Sequence, residues 1–301
     1  MKNLKAITIA IAVAFLSLVS TNSNAQNFYI SAGIGYGFQA ASQALGTNYS
    51  STTSGNTFSE SNANVTGSFG KGVNFGGAIG YMFSEHFGGE IGISYLSGSK
   101  ISSTNNANQV SVESVAITND ASATMLRVIP ALKIVGEAGK ITPYARIGLV
   151  LGVSPTITAN YNETDIYTSL FPIGTYDSTY SSTNKFTGGI SIGFSVALGA
   201  DLKLSNKVSI YGEVGMIAQT WAPTSSNYTS YFDNNIDQLP LMTTSLKQTN
   251  YVDSYSTTTS VPTNTGIPTP ALKQYEPFSS WGFNIGLHFT FGGGNESLAK
   301  K

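Results

Sequence analysis

Apolar residues alternate with small or polar residues along much of the chain. In residues 28–39 every even position is apolar or aromatic, and most odd positions are Ser, Gly or Gln. This period of two predicts a β-strand with one apolar face. The contrast returns in residues 73–83, 91–95, 126–134, 147–151, 186–198, 208–216 and 281–291, so we predict eight strands. Pro130 falls inside the fourth, where we expect a bulge or a missing ladder hydrogen bond.

The connections between these strands alternate between short and long. Residues 84–86, 136–140 and 205–207 are tight turns, whereas residues 42–68, 97–121, 154–185 and 222–277 are rich in Ser, Thr and Asn. A soluble β-sandwich has no need to keep every second connection long. Short periplasmic turns and long extracellular loops are typical of transmembrane β-barrels, which have an even number of strands in bacterial single-chain examples.

The N-terminus predicts export from the cytoplasm. Two lysines in the first five residues precede an apolar run at residues 6–19, which is shorter than the ~20 residues of a membrane-spanning helix. The sequence Ser-Asn-Ala ending at Ala25 supplies the small residues that signal peptidase accepts. We therefore predict a signal peptide at residues 1–25, a barrel at residues 26–291 and a short periplasmic tail at residues 292–301.

The composition suits a membrane barrel. Charged residues make up only 10% of the chain, against about 25% in soluble globular proteins. No segment after the signal peptide is long and apolar enough for a spanning helix, and a closed barrel is then the remaining way to satisfy the backbone in lipid. The chain has no cysteine and therefore no disulfide framework. It has no basic stripe, so we expect no nucleic-acid partner.

A lipocalin-like soluble barrel is the main structural alternative, since it also has eight strands and follows a signal peptide. Its outer face would have to be polar. Here the non-apolar positions are mostly Gly, Ser and Asn, with almost no Lys or Glu, and this set makes a poor solvent-facing surface. We therefore predict an all-β fold: an eight-stranded antiparallel up-and-down transmembrane β-barrel with short periplasmic turns and long extracellular loops.

Several segments resemble the outer-membrane β-barrel family, which is similar to the membrane domain of outer-membrane protein A. They are FYISAGIGYGF, NFGGAIGYMFSEHFGGEIGISYLSG, RVIPALKI, ITPYARIGLVLGV and WGFNIGLHFTF. The resemblance covers residues 26–291. It implies a Gram-negative outer-membrane location, contact with outer-membrane lipid and assembly by the barrel assembly machinery. It also implies a lumen blocked by a carboxylate–guanidinium cluster. Residues 292–301 are too few for the peptidoglycan-binding domain of some relatives.

Four charged residues fall on the inward register and form the predicted lumen charge cluster: Glu90, Arg127, Arg146 and Glu213. Unpaired charges in a narrow lumen are costly, so we expect these side chains to pair with one another. The first, second, sixth and eighth strands line the lumen with small residues that leave room for water. The sequence is therefore compatible with a closed plug and with a narrow channel.

The sequence offers little for catalysis or cofactor binding. The two histidines are His86 in a turn and His288 on the last strand, and Thr290 follows His288 on the same face. No acidic residue on that strand can orient the ring. Metal-ligand clusters and phosphate-binding loops are absent from the sequence. We expect no enzyme activity, no metal and no cofactor.

The long segments hold ten of the sixteen acidic residues: Glu60, Glu113, Asp120, Glu163, Asp165, Asp177, Asp233, Asp237, Asp253 and Glu276. Five lysines oppose them: Lys71, Lys100, Lys185, Lys247 and Lys273. The outer face is therefore mildly acidic and favours cations or basic partners, although ordinary solvated loop charge explains the pattern equally well. The length of residues 222–277 indicates either a binding element or a disordered cap.

Three functional hypotheses follow. The leading one is a monomeric barrel with a structural or surface-interaction role, which acts on an unknown extracellular ligand through its loops and has a closed or nearly closed lumen. The alternative is a small non-specific, porin-like diffusion channel. An outer-membrane enzyme is a distant third hypothesis.

Overall fold

The computed structural model describes residues 27–40, 43–110, 112–170, 173–256 and 266–291. The predicted signal peptide and C-terminal tail lie outside these residues. In the part of the chain described, seventeen strands form one mixed sheet. No helix in the same ranges is long and apolar enough to cross a membrane.

The strands are numbered in chain order. They are β1 (Asn27–Gln39), β2 (Gln43–Ser54), β3 (Thr57–Gly67), β4 (Gly72–Met82), β5 (Phe87–Gly98), β6 (Ile101–Gln109), β7 (Glu113–Val135), β8 (Ile141–Leu170), β9 (Ile173–Thr187), β10 (Ser191–Lys203), β11 (Val208–Trp221), β12 (Ser225–Asp233), β13 (Ile236–Asp237), β14 (Gln248–Val252), β15 (Thr269–Leu272), β16 (Glu276–Pro277) and β17 (Ser280–Phe291). A 3₁₀ turn spans Leu239–Leu241, and the short helix α1 spans Thr244–Lys247.

Eight of these strands pair antiparallel in a ring. β1 pairs with β4, β4 with β5, β5 with β7 and β7 with β8. The ring continues through β10 and β11 to β17, which pairs with β1 from Phe28–Phe291 to Gln39–Ser280. Because the last strand pairs with the first along nearly its whole length, the ring has no unpaired edge there.

The two faces of the ring follow the alternation in the sequence. Apolar side chains point outward and are strongly exposed, for example Ile79 at 53%, Phe194 at 63% and Leu198 at 71%. Most inward positions are small, polar or charged, and Ser31, Glu90 and Arg127 are among the buried ones; Leu96 and Met125, near the loop end, are buried apolar exceptions. Alternate residues of a strand point to opposite faces, so a single register accounts for both sets.

Two of the tight turns use the same serine contacts. Ser84 accepts backbone N–H bonds from His86 and Phe87 through its Oγ. Ser205 does the same for Lys207 and Val208. A serine side chain that binds the backbone two and three residues ahead stabilises a short turn, which explains why these connections stay tight. We call this end of the ring the turn end, and the opposite end the loop end.

The long segments differ from the prediction, because they form strands as well as loops. β2 and β3 make a hairpin from residues predicted as loop, β6 pairs with the first half of β7, and β9 pairs with the second half of β8. β2 pairs with β6 in parallel, as β14 does with β15, which makes the sheet mixed. We call β2, β3, β6, β9, β12, β13, β14 and β15, together with the first half of β7 and the second half of β8, the outer sheet. These strands lie beyond the loop end of the ring.

The outer sheet extends far beyond the loop end of the ring. β8 alone has 30 residues, or about 100 Å at ~3.3 Å per residue, whereas a tilted strand crosses lipid in about nine to eleven. The sequence did not reveal these extensions because both of their faces are polar, so no alternation marks them. Threonine, abundant in these segments, nevertheless favours extended backbone.

One predicted strand boundary also needs correction, and one local irregularity can now be described. The sixth strand was expected to begin at residue 186, but Phe186 belongs to β9. Two glycines with positive φ, Gly188 and Gly189, precede the start of β10 at Ser191. Pro130 stays in register with Ile91 of β5, whereas the pairing of β7 with β8 skips Ile129 and Pro130 without a shift in register; the predicted irregularity at Pro130 is therefore a gap in the ladder and not a bulge. The register shift between β7 and β8 lies instead between Thr124 and Leu126.

Candidate functional site

Arg146 lies at the centre of a charged network near the turn end of the lumen. Its Nη1 donates to Glu90 Oε1 at 2.6 Å, and its Nη2 donates to Glu213 Oε1. The three residues come from β8, β5 and β11, so one guanidinium joins strands on different sides of the ring. Glu90 and Glu213 are buried, and a buried carboxylate of this kind needs such a partner.

The remaining carboxylate oxygens also have donors. The hydroxyl of Tyr29 donates to Glu90 Oε2 at 2.6 Å, and that of Tyr144 donates to Glu213 Oε2 at 3.1 Å. Asn284 Nδ2 donates to Glu213 Oε1 at 2.9 Å. The network is therefore well satisfied around its two acids. The tyrosines were not identified as partners from the sequence, although their inward register was a usable signal.

A second ion cluster lies beside this network. Lys133 Nζ is 3.5 Å from Asp201 Oδ2, and Asp201 Oδ1 also contacts His288 Nδ1. The Lys133 ammonium lies 4.3 Å from the ring centroid of Tyr144, and Tyr211 stacks on His288 with centroids 4.5 Å apart. The acid that orients His288 comes from β10 and not from the histidine's own strand, so the alternation within β17 could not predict it.

Arg127 lies apart from both clusters. Its Nε donates to Gln219 Oε1 and its Nη1 to Asn74 Oδ1, each at 3.0 Å, and its Nη2 lies 3.5 Å from the carbonyl of Phe278. The ion pairs among the described residues do not include Arg127. The structure thus brings together three of the four predicted residues, and Arg127 does not neutralise Glu90 or Glu213.

The height of Arg127 along its strand explains this separation. Arg146 is level with Lys133, whereas Arg127 lies six residues further toward the loop end of β7. At ~3.3 Å per residue this is roughly 20 Å along the strand, beyond the reach of an arginine side chain. Counting residues from the turns had suggested that these heights overlap.

A cluster of buried apolar side chains lies at the loop end of the ring, and we call it the apolar cap. Its members are Phe69, Leu96, Ala123, Met125, Ile157, Trp221 and Phe278. Phe69 and Phe278 come from connections and not from ring strands. Their two segments are joined where Ser68 Oγ donates to Ser279 O at 2.7 Å and Phe69 N donates to Pro277 O at 2.8 Å. The contribution of Phe69 and Phe278 to this cap could not be predicted, because residues outside the strands have no predictable register.

A cavity of about 140 Å³ lies between the cap and the Arg146 network. Its wall includes Asn74 at one end, Arg146, Glu90 and Glu213 at the other, and many small residues such as Ser31. A polar cavity of this size has room for several water molecules. The lumen is therefore arranged as a cap, a cavity and a charged network in series.

Glycines make room for the large tyrosines of the network. A Cβ atom at Gly80 would lie 2.2 Å from Cζ of Tyr29, and one at Gly199 would lie 2.4 Å from Cζ of Tyr144. No side chain fits in this space unless the ring moves. These two glycines are part of the site because they allow the hydroxyl groups to reach Glu90 and Glu213.

We expect Gly199→Ala to displace Tyr144 and weaken its bond to Glu213, with a loss of about 1–3 kcal/mol from overpacking. The measurement is the urea unfolding midpoint of the refolded protein in detergent micelles. Gly212→Ala is the matched control, because a Cβ there meets nothing within 4 Å. Equal midpoints for the two variants would show that the Tyr144 ring moves without cost.

Some carboxylates of the outer sheet form no ion pair with the residues that the structure describes. Glu163 and Asp165 lie on one face of β8, beside Glu113 of β7. Burial, together with the neighbouring Glu163 and Glu113, raises the pKa of Asp165. In contrast, Asp120 pairs with Lys100 at 2.9 Å. This part of the outer surface is therefore electronegative.

Nothing in the described ranges forms a group of three or more His, Asp or Glu side chains suited to a metal ion. His288 has Asp201 and an aromatic neighbour, and it belongs to the lumen network. The chemistry that the site displays is the pairing of charges inside the ring.

Comparison with known proteins shows a limited similarity between this chain and solved structures. No family model and no curated protein matches this sequence. The solved structure of the outer membrane protein OprG from Pseudomonas aeruginosa is similar over 90% of this chain and 98% of that chain, with a TM-score of 0.40 and 12% identity. CarO2 from Acinetobacter baumannii matches 87% of this chain and 99% of that chain, with a TM-score of 0.27 and 11% identity. Both TM-scores are below 0.5, so the fold assignment rests on the strand pairing of this chain.

Proposed function

We propose that this protein is a barrel of the bacterial outer membrane, in which the ring of eight strands spans the lipid and the outer sheet stands outside the cell. The observation that carries the proposal is the closed antiparallel ring with an exposed apolar band on its outer face. A closed ring is the form in which strands can cross lipid without unpaired backbone groups. Polar surroundings would make the same apolar band unfavourable.

The proposed role is structural and surface-directed, with a lumen closed at rest. The cap of aromatic side chains and the Arg146 network support closure at two levels. The long outer sheet supports interaction with an extracellular partner, and its unpaired carboxylates favour a basic one. The acids of the network and of the second cluster are engaged by Arg146, Lys133 and His288, and we propose no enzymatic role for them.

A small diffusion channel is the second candidate. The observation in its favour is the cavity between the two closures, since a completely filled lumen would leave no such space. In this alternative the cap and the network act as gates that open transiently. The two candidates differ in the conductance of the wild-type protein.

Single-channel recording in planar bilayers tests the closed lumen. We expect no steady conductance from the wild-type protein, because two closures lie in series. Removing both, with Phe69→Ala and Phe278→Ala at the cap and Arg146→Met in the network, should produce a steady current. Removing the cap alone should leave the lumen closed by the network. A steady ohmic conductance of the unaltered protein would support the channel instead.

A further inference from the structure

The strand β3 forms one edge of the outer sheet. Its eleven residues pair with β2 on one side, and no strand among the described residues pairs with it on the other. Residues 57–64 are all exposed. An unpaired edge presents a row of N–H and C=O groups, to which another strand can bind.

The contacts of β2 show which backbone groups of β3 face this free edge. Thr53 of β2 pairs with Phe58 of β3, and its carbonyl accepts the N–H of Val110 on the far side of β2 at 2.9 Å. In an antiparallel pair, opposite residues either bond to each other or both face away. Because Thr53 faces away from β3, Phe58 faces away from β2. Residues 60, 62 and 64 follow the same alternation, so each directs one N–H and one C=O to the free edge.

The strand at the opposite side of the outer sheet is protected, whereas β3 is not. β15 has only four residues and contains Pro270, which has no N–H to donate. β3 contains neither proline nor lysine, and the register shift of its hairpin lies opposite Val65 and Thr66, outside residues 57–64. Proline, lysine, bulges and short length are the features that keep edge strands unpaired. The long edge of β3 therefore lacks the features that would prevent pairing.

We propose that β3 is a homodimer interface, in which the β3 strands of two copies pair antiparallel about a two-fold axis at Ser61. In this register Phe58 lies opposite the partner's Asn64, and Glu60 lies opposite the partner's Asn62. The residues that face the free edge then bond to one another, and the same surface serves both copies, as a two-fold axis requires. Like charges directly opposite are destabilising, and this register keeps the two copies of Glu60, the only charged residue of β3, from lying opposite each other. The contact lies on the outer sheet, so it does not depend on whether the ring spans lipid.

A single cysteine on the proposed axis tests the register. The chain has no cysteine of its own, so Ser61→Cys introduces one thiol. The two copies of residue 61 would be a non-hydrogen-bonded pair with Cα atoms about 4.5 Å apart, within the range of a disulfide. We expect this variant, refolded in micelles and oxidised in air, to run as a covalent dimer on a non-reducing gel. Ser59→Cys is the matched control, because the two copies of residue 59 would lie roughly 13 Å apart and should stay uncrosslinked.

Asn62→Pro tests the backbone contact itself. The N–H of Asn62 faces the free edge, so proline keeps the ladder with β2 and removes one donor from each copy. Sedimentation in micelles should show a dimer for the wild type and a dissociation constant that is roughly tenfold or more higher for Asn62→Pro. Asn62→Ala keeps the N–H and should dimerise like the wild type.

Three results would overturn the proposal. They are a wild-type protein that is monomeric at every concentration, which would leave the edge to a strand of another protein, equal crosslinking of Ser61→Cys and Ser59→Cys, and undiminished dimers in Asn62→Pro. Heat-modifiable gel migration shows whether each variant is folded. If Asn62→Pro does not fold, the sedimentation of the wild type and the two cysteine variants decide.

Discussion

Arg146→Met should lower the unfolding free energy by about 3–5 kcal/mol, the cost of leaving a buried charge without its partner. The variant leaves Glu90 and Glu213 facing one another across the lumen with no guanidinium between them. We expect a value near the lower end of the range, because 28% of the Arg146 side chain is exposed and water can partly solvate the acids. The urea midpoint of the refolded protein in micelles measures the loss.

Two further variants show whether charge or packing is responsible. Arg146→Lys keeps a positive charge but can form only a point contact instead of the fork between two acids, so it should recover part of the stability. The triple variant Glu90→Gln, Arg146→Met, Glu213→Gln removes every charge of the network. Replacing a whole buried ion cluster with neutral groups is often nearly neutral, so its midpoint should exceed that of Arg146→Met. A triple variant as unstable as the single one would assign the loss to packing.

The part of this fold that the sequence predicts well is the part where one face of each strand is apolar. The lipid-type alternation identified the eight ring strands, and it put Glu90, Arg146 and Glu213 on the inner face. Their pairing follows, since inward charges in one narrow lumen have few other partners. The alternation of their strands also puts Lys133 and His288 on the inner face, but it does not predict their contact with Asp201 at the end of β10.

The sequence pattern did not predict how far along the ring axis each inward residue lies. It also did not predict which side chains fill the loop end of the ring. The prediction grouped Arg127 with Glu90 and Glu213 because the number of residues from a turn was used as the position along the ring axis. Strand pairing puts Arg127 six residues farther toward the loop end than Arg146. Phe69 and Phe278 lie in connections, where no period assigns a direction to a side chain. The outer sheet was missed for a related reason: a strand with water on both faces shows no alternation.

The outward face of β10 gives a sharp test of lipid contact. Val196 is half exposed and lies near the middle of its strand, whereas Ile192 is next to the loop end. A charged side chain costs ~2–4 kcal/mol at the bilayer midplane and about 0–1 kcal/mol near the interface. We therefore expect Val196→Arg to impair folding into lipid vesicles strongly and Ile192→Arg to impair it only slightly.

Ile166→Arg is the matched control, because Ile166 is an exposed apolar residue of similar size on the outer-sheet part of β8. If that part of β8 stands in water, this arginine should cost little, and the variant should fold like the wild type. Heat-modifiable gel migration, in which folded barrels run faster than boiled ones, gives the folded fraction of all three variants. The depth order is the informative result, since a soluble protein would tolerate arginine equally at Val196, Ile192 and Ile166. Equal folded fractions in vesicles would therefore remove the lipid contact on which the proposed membrane location depends.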